Sequence, residues 1–252
     1  MTPLVVSALC AAMVATSLLS GIFGMAGGMI LIGVLLMLLS VPDAMMLHGI
    51  TQFASNGWRA VLWWRYVRWR AVASYMLGAG AALLVWSFWR YVPDKAVALL
   101  MLGLTPFLVR LAPANWRPDP ASVRQGALYG AACMTLILLT GIAGPLIDTF
   151  FLGGKLDRRE IVASKAMCQV FGHAAKLLYF GAVIDQAGSL DPLVAILAIV
   201  CSMAGTTLAA KVLLAMSDAQ YRAWANRIIT AIAGYYVAHS AVLIALAQAA
   251  AK

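Results

Sequence analysis

Eight polar side chains, arranged in two rows of four, have the types and spacing needed to bind a small molecule. The first row is His48, Gln52, Asn56 and Arg59, and the second is Lys165, Gln169, His173 and Lys176. In a helix of 3.6 residues per turn, the members of each row fall within an arc of about 80°. Both rows supply hydrogen-bond donors and cations but no carboxylate. This combination suits an anion, which accepts hydrogen bonds from amide, imidazole and guanidinium groups together.

Each row also has a purely structural interpretation. Arg59 and Lys165 lie near predicted helix ends, where long cationic side chains can extend to the membrane interface. The amide and imidazole groups could instead form hydrogen bonds between helices. Because the pattern occurs twice, we favour a substrate pathway. Its binding residues are then expected to be Gln52, Asn56, Gln169, His173, Arg59 and Lys176.

Glycine-rich breaks precede both rows. Gly21-Ile-Phe-Gly24 interrupts a long apolar segment in the first half of the chain, and Gly141-Ile-Ala-Gly144 interrupts the matching segment in the second. Irregular backbone at membrane depth is tolerated only where it is buried or lines a cavity. A helix that begins at such a break directs its first N–H groups toward an anion. Close helix packing is the alternative role of these glycines. The candidate binding glycines are Gly24, Gly27, Gly28 and Gly144.

Asp148 is the only acidic residue in either glycine-broken segment. It could carry a coupling proton, form an ion pair with Lys176, or lie at a helix end near the cytoplasm. His173 is the other candidate for proton coupling, because imidazole titrates near neutral pH.

The elements that position these residues are predicted to be transmembrane helices. Of the 252 residues, 63% are hydrophobic and 11% are charged, whereas soluble domains carry about 25% charged residues. The apolar runs are continuous and reach the roughly 20 residues that a spanning helix needs, so barrel strands are excluded. Full spans are expected at 43–64, 71–89, 95–111, 160–183, 192–210 and 224–247. Residues 3–39 and 123–153 are each expected to form a helical hairpin, and the second arm of the later one is too short to span.

Charge and motif content narrow the function classes. The net charge is +9, but the basic residues lie in short loops, as the positive-inside rule predicts for a membrane protein, so nucleic-acid binding is not expected. No metal-spaced ligand set, phosphate-binding loop or nucleophile–base pair occurs in the sequence, so neither an enzyme nor a cofactor is expected. The lipid bilayer is expected to surround the protein. The protein could also form a homo-oligomer.

Loop charges indicate that the two halves have opposite orientations. Arg65, Arg68 and Arg70 follow the first row, whereas Asp185 and Asp191 follow the second. The predicted architecture is therefore an all-α membrane protein of two inverted-topology repeats, with about 8 to 10 helices in total. Each repeat is a glycine-broken helical hairpin plus three transmembrane helices. Residues 1–111 form the first repeat, 112–122 a proline-rich cytoplasmic linker, and 123–252 the second repeat, with both termini in the periplasm.

These motifs resemble the sulfite exporter TauE/SafE family, also called the toluene sulfonate uptake permease family. The resemblance rests on the hairpin 21–28, the row segment 48–56 and their counterparts 141–145 and 165–173. It implies movement of sulfite, an organosulfonate or a related small sulfur anion across the bacterial inner membrane. One departure is that Leu31-Ile-Gly33 lacks the proline that often follows the glycine cluster in this family.

The expected function is a secondary transporter that exports such an anion by alternating access of its two repeats, with proton coupling left open. Import of a sulfonate or thiosulfate and passive conduction of anions are the alternatives within transport. An alternative of another class is a membrane-embedded assembly factor that has no substrate.

Overall fold

The computed structural model describes residues 3–23, 26–111, 113, 118–152, 156–185, 191–215 and 218–250. The helices in these ranges are α1 Pro3–Phe23, α2 Ala26–Leu38, α3 Val41–Leu62, α4 Trp69–Trp89, α5 Lys95–Arg110, α6 Val123–Thr140, α7 Gly144–Leu152, α8 Arg158–Leu178, α9 Pro192–Ala215 and α10 Asp218–Ala250. A 3₁₀ turn, Trp64–Tyr66, follows α3, and a π-helical turn, Tyr179–Val183, extends α8. No strand occurs in the described residues, so the all-α prediction is confirmed.

Five of the described helices are long and apolar enough to cross a membrane: α1, α4, α6, α9 and α10. The chain is therefore a polytopic helical membrane protein. Helices α3 and α8 have 22 and 21 residues, yet they fall below this apolarity because they carry the two polar rows. Helix α7 has nine residues, so at 1.5 Å per residue it extends only about 14 Å and cannot span the hydrocarbon core.

Local signals explain where the row-bearing helices begin. The Ser40 hydroxyl accepts from the Asp43 N–H at the start of α3. Helix α8 starts with a capping box, in which the Asp157 carboxylate and the Glu160 side chain satisfy each other's backbone N–H groups. Such caps stabilise a helix start by about 1 kcal/mol. They fix the first residue of each helix, and the packing of the helix then sets the direction in which its polar row points.

Among the described residues, the five helices before the proline-rich linker and the five after it pack in corresponding ways. Helix α1 packs on α9, and α6 packs on α4; likewise α3 contacts α9, and α8 contacts α4. Helix α2 contacts α10, and α7 contacts α5. When five is added to, or subtracted from, each helix number, every one of these contacts becomes its counterpart. The contacts α3–α8 and α5–α10 become themselves. This is the contact pattern that a two-fold relation between the halves would produce.

Glycines allow the α4–α6 contact to be close. A Cβ on Gly78 would overlap the carbonyl oxygen of Ala127, and a Cβ on Gly130 would overlap that of Tyr75. On the corresponding α1–α9 contact, a Cβ on Gly205 would overlap the carbonyl oxygen of Val14. Both contacts join one half of the chain to the other, so the halves are interlocked rather than side by side.

Candidate functional site

A small, partly enclosed cavity of about 30 Å³ lies between α3 and α8 and is bounded by both halves of the chain. Residues from α1, α2, α4, α6 and α7 complete its wall. Nine residues singled out in the sequence line it: Gln52, Asn56, Arg59, Lys165, Gln169, His173, Gly28, Gly144 and Asp148. The structure thus brings most of the predicted residues together around one space.

The antiparallel packing of α3 on α8 brings the two rows face to face. The Arg68 N–H, in the loop that leads from α3 to α4, donates to the Ser164 hydroxyl near the start of α8, over 2.9 Å. At the opposite end, the nitrogens His48 Nδ1 and Lys176 Nζ lie 2.8 Å apart. The beginning of each row therefore faces the end of the other, and the central amides lie opposite each other.

The first row is ordered by hydrogen bonds along its own helix. Asn56 Nδ2 donates to the backbone carbonyl of Gln52 over 2.9 Å, and Arg59 Nη1 approaches Asn56 Oδ1 at 3.4 Å. Arg59 also donates through Nη2 to the carbonyl of Ser20, over 3.3 Å. These bonds hold Asn56 and Arg59 in place at the cavity wall.

Three buried polar atoms at the cavity lack a hydrogen-bond partner within the described part of the chain. They are Ser20 Oγ, Gln52 Nε2 and His173 Nδ1, and each belongs to a residue that is at most 5% exposed. The Tyr75 hydroxyl also lies at the cavity, but it has the thiol of Cys133 as a hydrogen-bond partner. An unsatisfied buried polar group costs about 1–3 kcal/mol. The three unsatisfied groups are therefore available to bind a small polar guest.

Ser20 and Tyr75 were not predicted from the sequence. Ser20 directly precedes Gly21 and occupies the position that Thr140 holds before Gly141. The Thr140 hydroxyl is occupied locally, because it accepts from the Ile142 N–H, whereas the Ser20 hydroxyl is left facing the cavity. The comparison of the two breaks could therefore have identified Ser20. Tyr75 lies on α4, outside both rows, and no sequence signal marked it.

Charged groups at the cavity carry an excess of positive charge. Lys165 and Asp148 form an ion pair, with side chains 21% and 24% exposed, and Arg59 adds a further cation. The pairing of Asp148 with Lys176, one of the options considered for it, is wrong. Asp148 lies on the short helix α7 close to the start of α8, whereas Lys176 lies five helical turns beyond that start.

Lys176 does not line the cavity, contrary to its predicted place among the binding residues. Its Nζ is buried behind the cavity wall, 2.8 Å from His48 Nδ1 and 3.3 Å from the carbonyl oxygen of Gly141. His48 in turn lies 3.1 Å, through Nε2, from the carbonyl oxygen of Gly28. The two rows are alike in sequence, but equivalent residues differ in whether they line the cavity, because the cavity lies toward the Arg59–Lys165 end.

The predicted glycines divide between two roles. Gly28 and Gly144 line the cavity, and they lie in the first turns of α2 and α7, whose N–H groups have no partner within the helix. Gly27 instead packs on α1, where a Cβ would overlap the carbonyl oxygen of Thr16. Gly24 lies outside the described residues. At Gly141, a φ of 86° ends α6 in a left-handed conformation that glycine tolerates readily.

This division predicts different results for two neighbouring alanine substitutions. Gly27→Ala should destabilise the protein by about 1–3 kcal/mol, because the added methyl group overlaps the α1 backbone. Gly28→Ala should keep the melting temperature, because its Cβ would lie 3.5 Å from Gln52 Nε2, an ordinary contact, but the methyl group narrows the cavity. Thermal unfolding and anion flux of the two variants test this, and a Gly27→Ala protein as stable as the wild type would contradict it.

The fold and the cavity define a multi-pass helical membrane protein with a small polar site shared by its two sets of five helices. Within the described residues, no three His, Cys, Asp or Glu side chains are grouped so as to hold a metal ion. A family model described as Sulfite exporter TauE/SafE matches residues 9–236. The chain therefore belongs to the sulfite exporter TauE/SafE family, which confirms the resemblance in its sequence. A search of curated proteins and a search of solved structures gave no match.

Proposed function

We propose that the chain is a secondary transporter, not an enzyme, that exports a small sulfur-containing anion across the bacterial inner membrane. Family membership suggests a sulfur anion as the cargo. The cavity is the observation that carries the proposal: unsatisfied polar groups from both halves, two nearby cations and two helix starts surround one small space. An anion is the ligand that satisfies all of these groups at once. The bound anion would contact Gln52, Asn56, Arg59, Gln169, His173, Gly28 and Gly144.

Alternating access is the mechanism that we propose for this site. The cavity lies toward the Arg59–Lys165 end of the rows, and the opposite end is filled by the buried His48–Lys176 contact. Because the two rows correspond position for position, the opposite-facing state would exchange these roles: Lys176 would approach the anion, and Lys165 would be covered. Motion of the α1–α9 pair against the α4–α6 pair, which correspond to each other when the two halves are exchanged, would then move the site between the two sides of the membrane.

For the membrane topology, we propose two inverted repeats, residues 1–111 and 123–252, joined by a cytoplasmic linker, 112–122, with both termini in the periplasm. Arg68 pairs with Glu160, and Arg159 lies over the Tyr66 ring at 5.3 Å. The basic loops of both halves therefore meet at one end of the molecule, which supports a cytoplasmic position for that end. Accessibility of single cysteines placed at Asp94 and Asp119 to an impermeant thiol reagent tests this. Labelling from outside is expected at 94 but not at 119.

Flux through proteoliposomes tests the proposed transport. Vesicles loaded with unlabelled sulfite, with the membrane potential clamped, should transiently accumulate labelled sulfite from outside. Counterflow of this kind requires a carrier with a saturable site. Passive equilibration without accumulation would indicate the anion channel instead. No protein-dependent entry of sulfite, thiosulfate, sulfate or an alkyl sulfonate would contradict transport and favour an assembly factor.

The size of the cavity predicts which anions compete. A space of about 30 Å³ holds a small ion or one to two waters. Unlabelled thiosulfate should therefore inhibit labelled sulfite flux, and toluenesulfonate should inhibit at least tenfold more weakly. Measured inhibition constants for the two anions check this. Equal inhibition by toluenesulfonate would show that the transported anion occupies a larger site than the cavity described above.

A further inference from the structure

The contact between His48 and Lys176 joins the two halves of the chain deep inside the bundle. Both side chains are fully buried. Lys176 Nζ has the imidazole of His48 and the carbonyl oxygen of Gly141 as hydrogen-bond partners. The ion pairs found in the described residues, Arg68–Glu160 and Lys165–Asp148, do not include Lys176.

Geometry limits how many protons this contact can hold. A carbonyl oxygen only accepts, so the 3.1 Å approach of His48 Nε2 to the Gly28 carbonyl requires a hydrogen on Nε2. The other ring nitrogen, Nδ1, faces Lys176 Nζ at 2.8 Å. Only one hydrogen fits on the line between these two nitrogens. The pair therefore carries one positive charge when protonated and none when it loses that proton.

The groups packed around the pair do not neutralise a cation there. The His173 ring, on the same helix as Lys176, contacts His48 edge to face with ring centroids 5.6 Å apart. Asp148 on α7 is engaged by Lys165. Tyr179, one turn beyond Lys176, donates its hydroxyl to the Tyr91 carbonyl. A buried cation without a counter-charge is unfavourable, so the proton is held poorly while the neighbouring cavity lacks an anion.

Two contacts connect the pair to the cavity. Gly28, whose carbonyl accepts from His48, lines the cavity, and so does His173, whose ring contacts His48. An anion in the cavity would thus lie one residue layer from the pair, in a medium where charges interact strongly. Its negative charge would favour the protonated pair.

We propose that the His48–Lys176 pair takes up one proton when an anion enters the cavity and releases it when the anion leaves, so that anion and proton cross the membrane together. A dianion that leaves the cell with one proton still carries out one negative charge, so the inside-negative membrane potential, not the proton gradient, would drive its export. This inference rests on the transport proposed above. It assigns the coupling proton to residues other than His173 and Asp148, the two candidates that the sequence indicated. The proton comes from solvent on the side to which the cavity is open and returns to solvent on the other.

Thiosulfate uptake driven by a pH gradient tests the pair, because thiosulfate, unlike sulfite, does not itself bind a proton near neutral pH. In proteoliposomes with an alkaline interior and a clamped membrane potential, the wild type should accumulate the anion, and a protonophore should abolish the accumulation. Lys176→Met, which cannot hold the proton, and Lys176→Arg, which cannot release it, should at most equilibrate the anion without accumulating it. His239→Gln should behave as the wild type, because His239 stacks on Tyr235 away from the cavity.

A second measurement does not depend on flux by the variants. Titration calorimetry of sulfite binding in two buffers of different ionisation enthalpy gives the protons taken up per anion. The wild type should take up about one more proton per anion than either Lys176 variant. Protons that sulfite itself gains or loses contribute equally to both proteins and cancel in this difference. Should neither variant fold, absence of pH-driven accumulation by the wild type would still overturn the proposal.

The outcomes separate this inference from the proposed function. Equilibration by the wild type without pH-driven accumulation, pH-driven accumulation by a Lys176 variant, or equal proton uptake in a variant that binds sulfite would overturn the pair's role and leave transport standing. Absence of any protein-dependent anion entry would overturn both.

Discussion

Lys165→Met is expected to weaken sulfite binding roughly a hundredfold. The substitution removes a cation from the cavity wall and leaves the Asp148 carboxylate, its partner in an ion pair, facing the bound anion. At a separation of about 5–6 Å and an effective dielectric constant of about 20, one such charge interaction is worth about 3 kcal/mol. This corresponds to about two orders of magnitude in the dissociation constant. Titration calorimetry with sulfite measures the loss.

Asp148→Asn removes the other member of the same ion pair and should have the opposite effect on binding. It removes the carboxylate and leaves Lys165 as an unpaired cation at the cavity, so sulfite should bind as tightly as in the wild type or more tightly. The double variant Lys165→Met with Asp148→Asn should bind with an affinity between those of the two single variants. A cavity for a cation would reverse both signs, and a cavity for a neutral molecule would respond little to either change.

Replacing both Gln52 and Gln169 with Leu should lower anion flux at least tenfold. The two amides are equivalent members of the two rows, and both line the cavity. Each Leu removes hydrogen-bonding groups without changing the charge, at about 1–3 kcal/mol for each lost bond to the anion. Flux of labelled sulfite into proteoliposomes, normalised to protein incorporated, measures the effect.

The control for this double variant is Gln248→Leu, which makes the same chemical change at an exposed position on α10. Its flux should equal that of the wild type. Normal flux through the Gln52→Leu, Gln169→Leu protein would mean that these glutamines are interhelical hydrogen-bonding residues only. It would then favour a function that needs no substrate in the cavity.

Much of the fold could be predicted because lipid restricts the possibilities. A helix is found at each of the six predicted spans. The break at Gly141 lies between α6 and α7, whereas the first glycine break includes residues 24–25, which lie outside the described residues. The sequence was less informative about helices and helix ends that contain many polar residues. Helices α3 and α8 were identified by their rows of polar residues rather than by apolarity, and α10 begins earlier than predicted, at Asp218.

The sequence predicted most residues of the candidate site but not which end of the two rows the cavity would occupy. Equal spacing gave eight equivalent candidates, but the cavity lies toward one end of the rows. Lys165 therefore lines it, whereas His48, its counterpart in the first row, is buried beside Lys176. Nothing in a sequence of two matching rows indicates which end is open in a given conformation. An alternating-access mechanism would require these two ends to exchange roles, and the equivalence of the two rows in sequence is compatible with that exchange.

Helix packing between the halves explains the residues that the sequence did not reveal. Tyr75 reaches the cavity because Gly126 and Gly130 on α6 let α4 approach closely: a Cβ on Gly126 would overlap Ser74, and one on Gly130 the Tyr75 carbonyl. That contact crosses from the first half of the chain to the second. A comparison of the halves with each other could not show where one half packs into the other.

The most direct test of the central claim is sulfite binding to the purified protein, measured by titration calorimetry in detergent. We expect saturable binding at one site per chain in the wild type, and its loss in the Gln52→Leu, Gln169→Leu protein, with an unchanged melting temperature. Binding that persists in that variant, or the absence of binding by sulfite, thiosulfate, sulfate and methanesulfonate alike, would contradict the assignment of this cavity as an anion site.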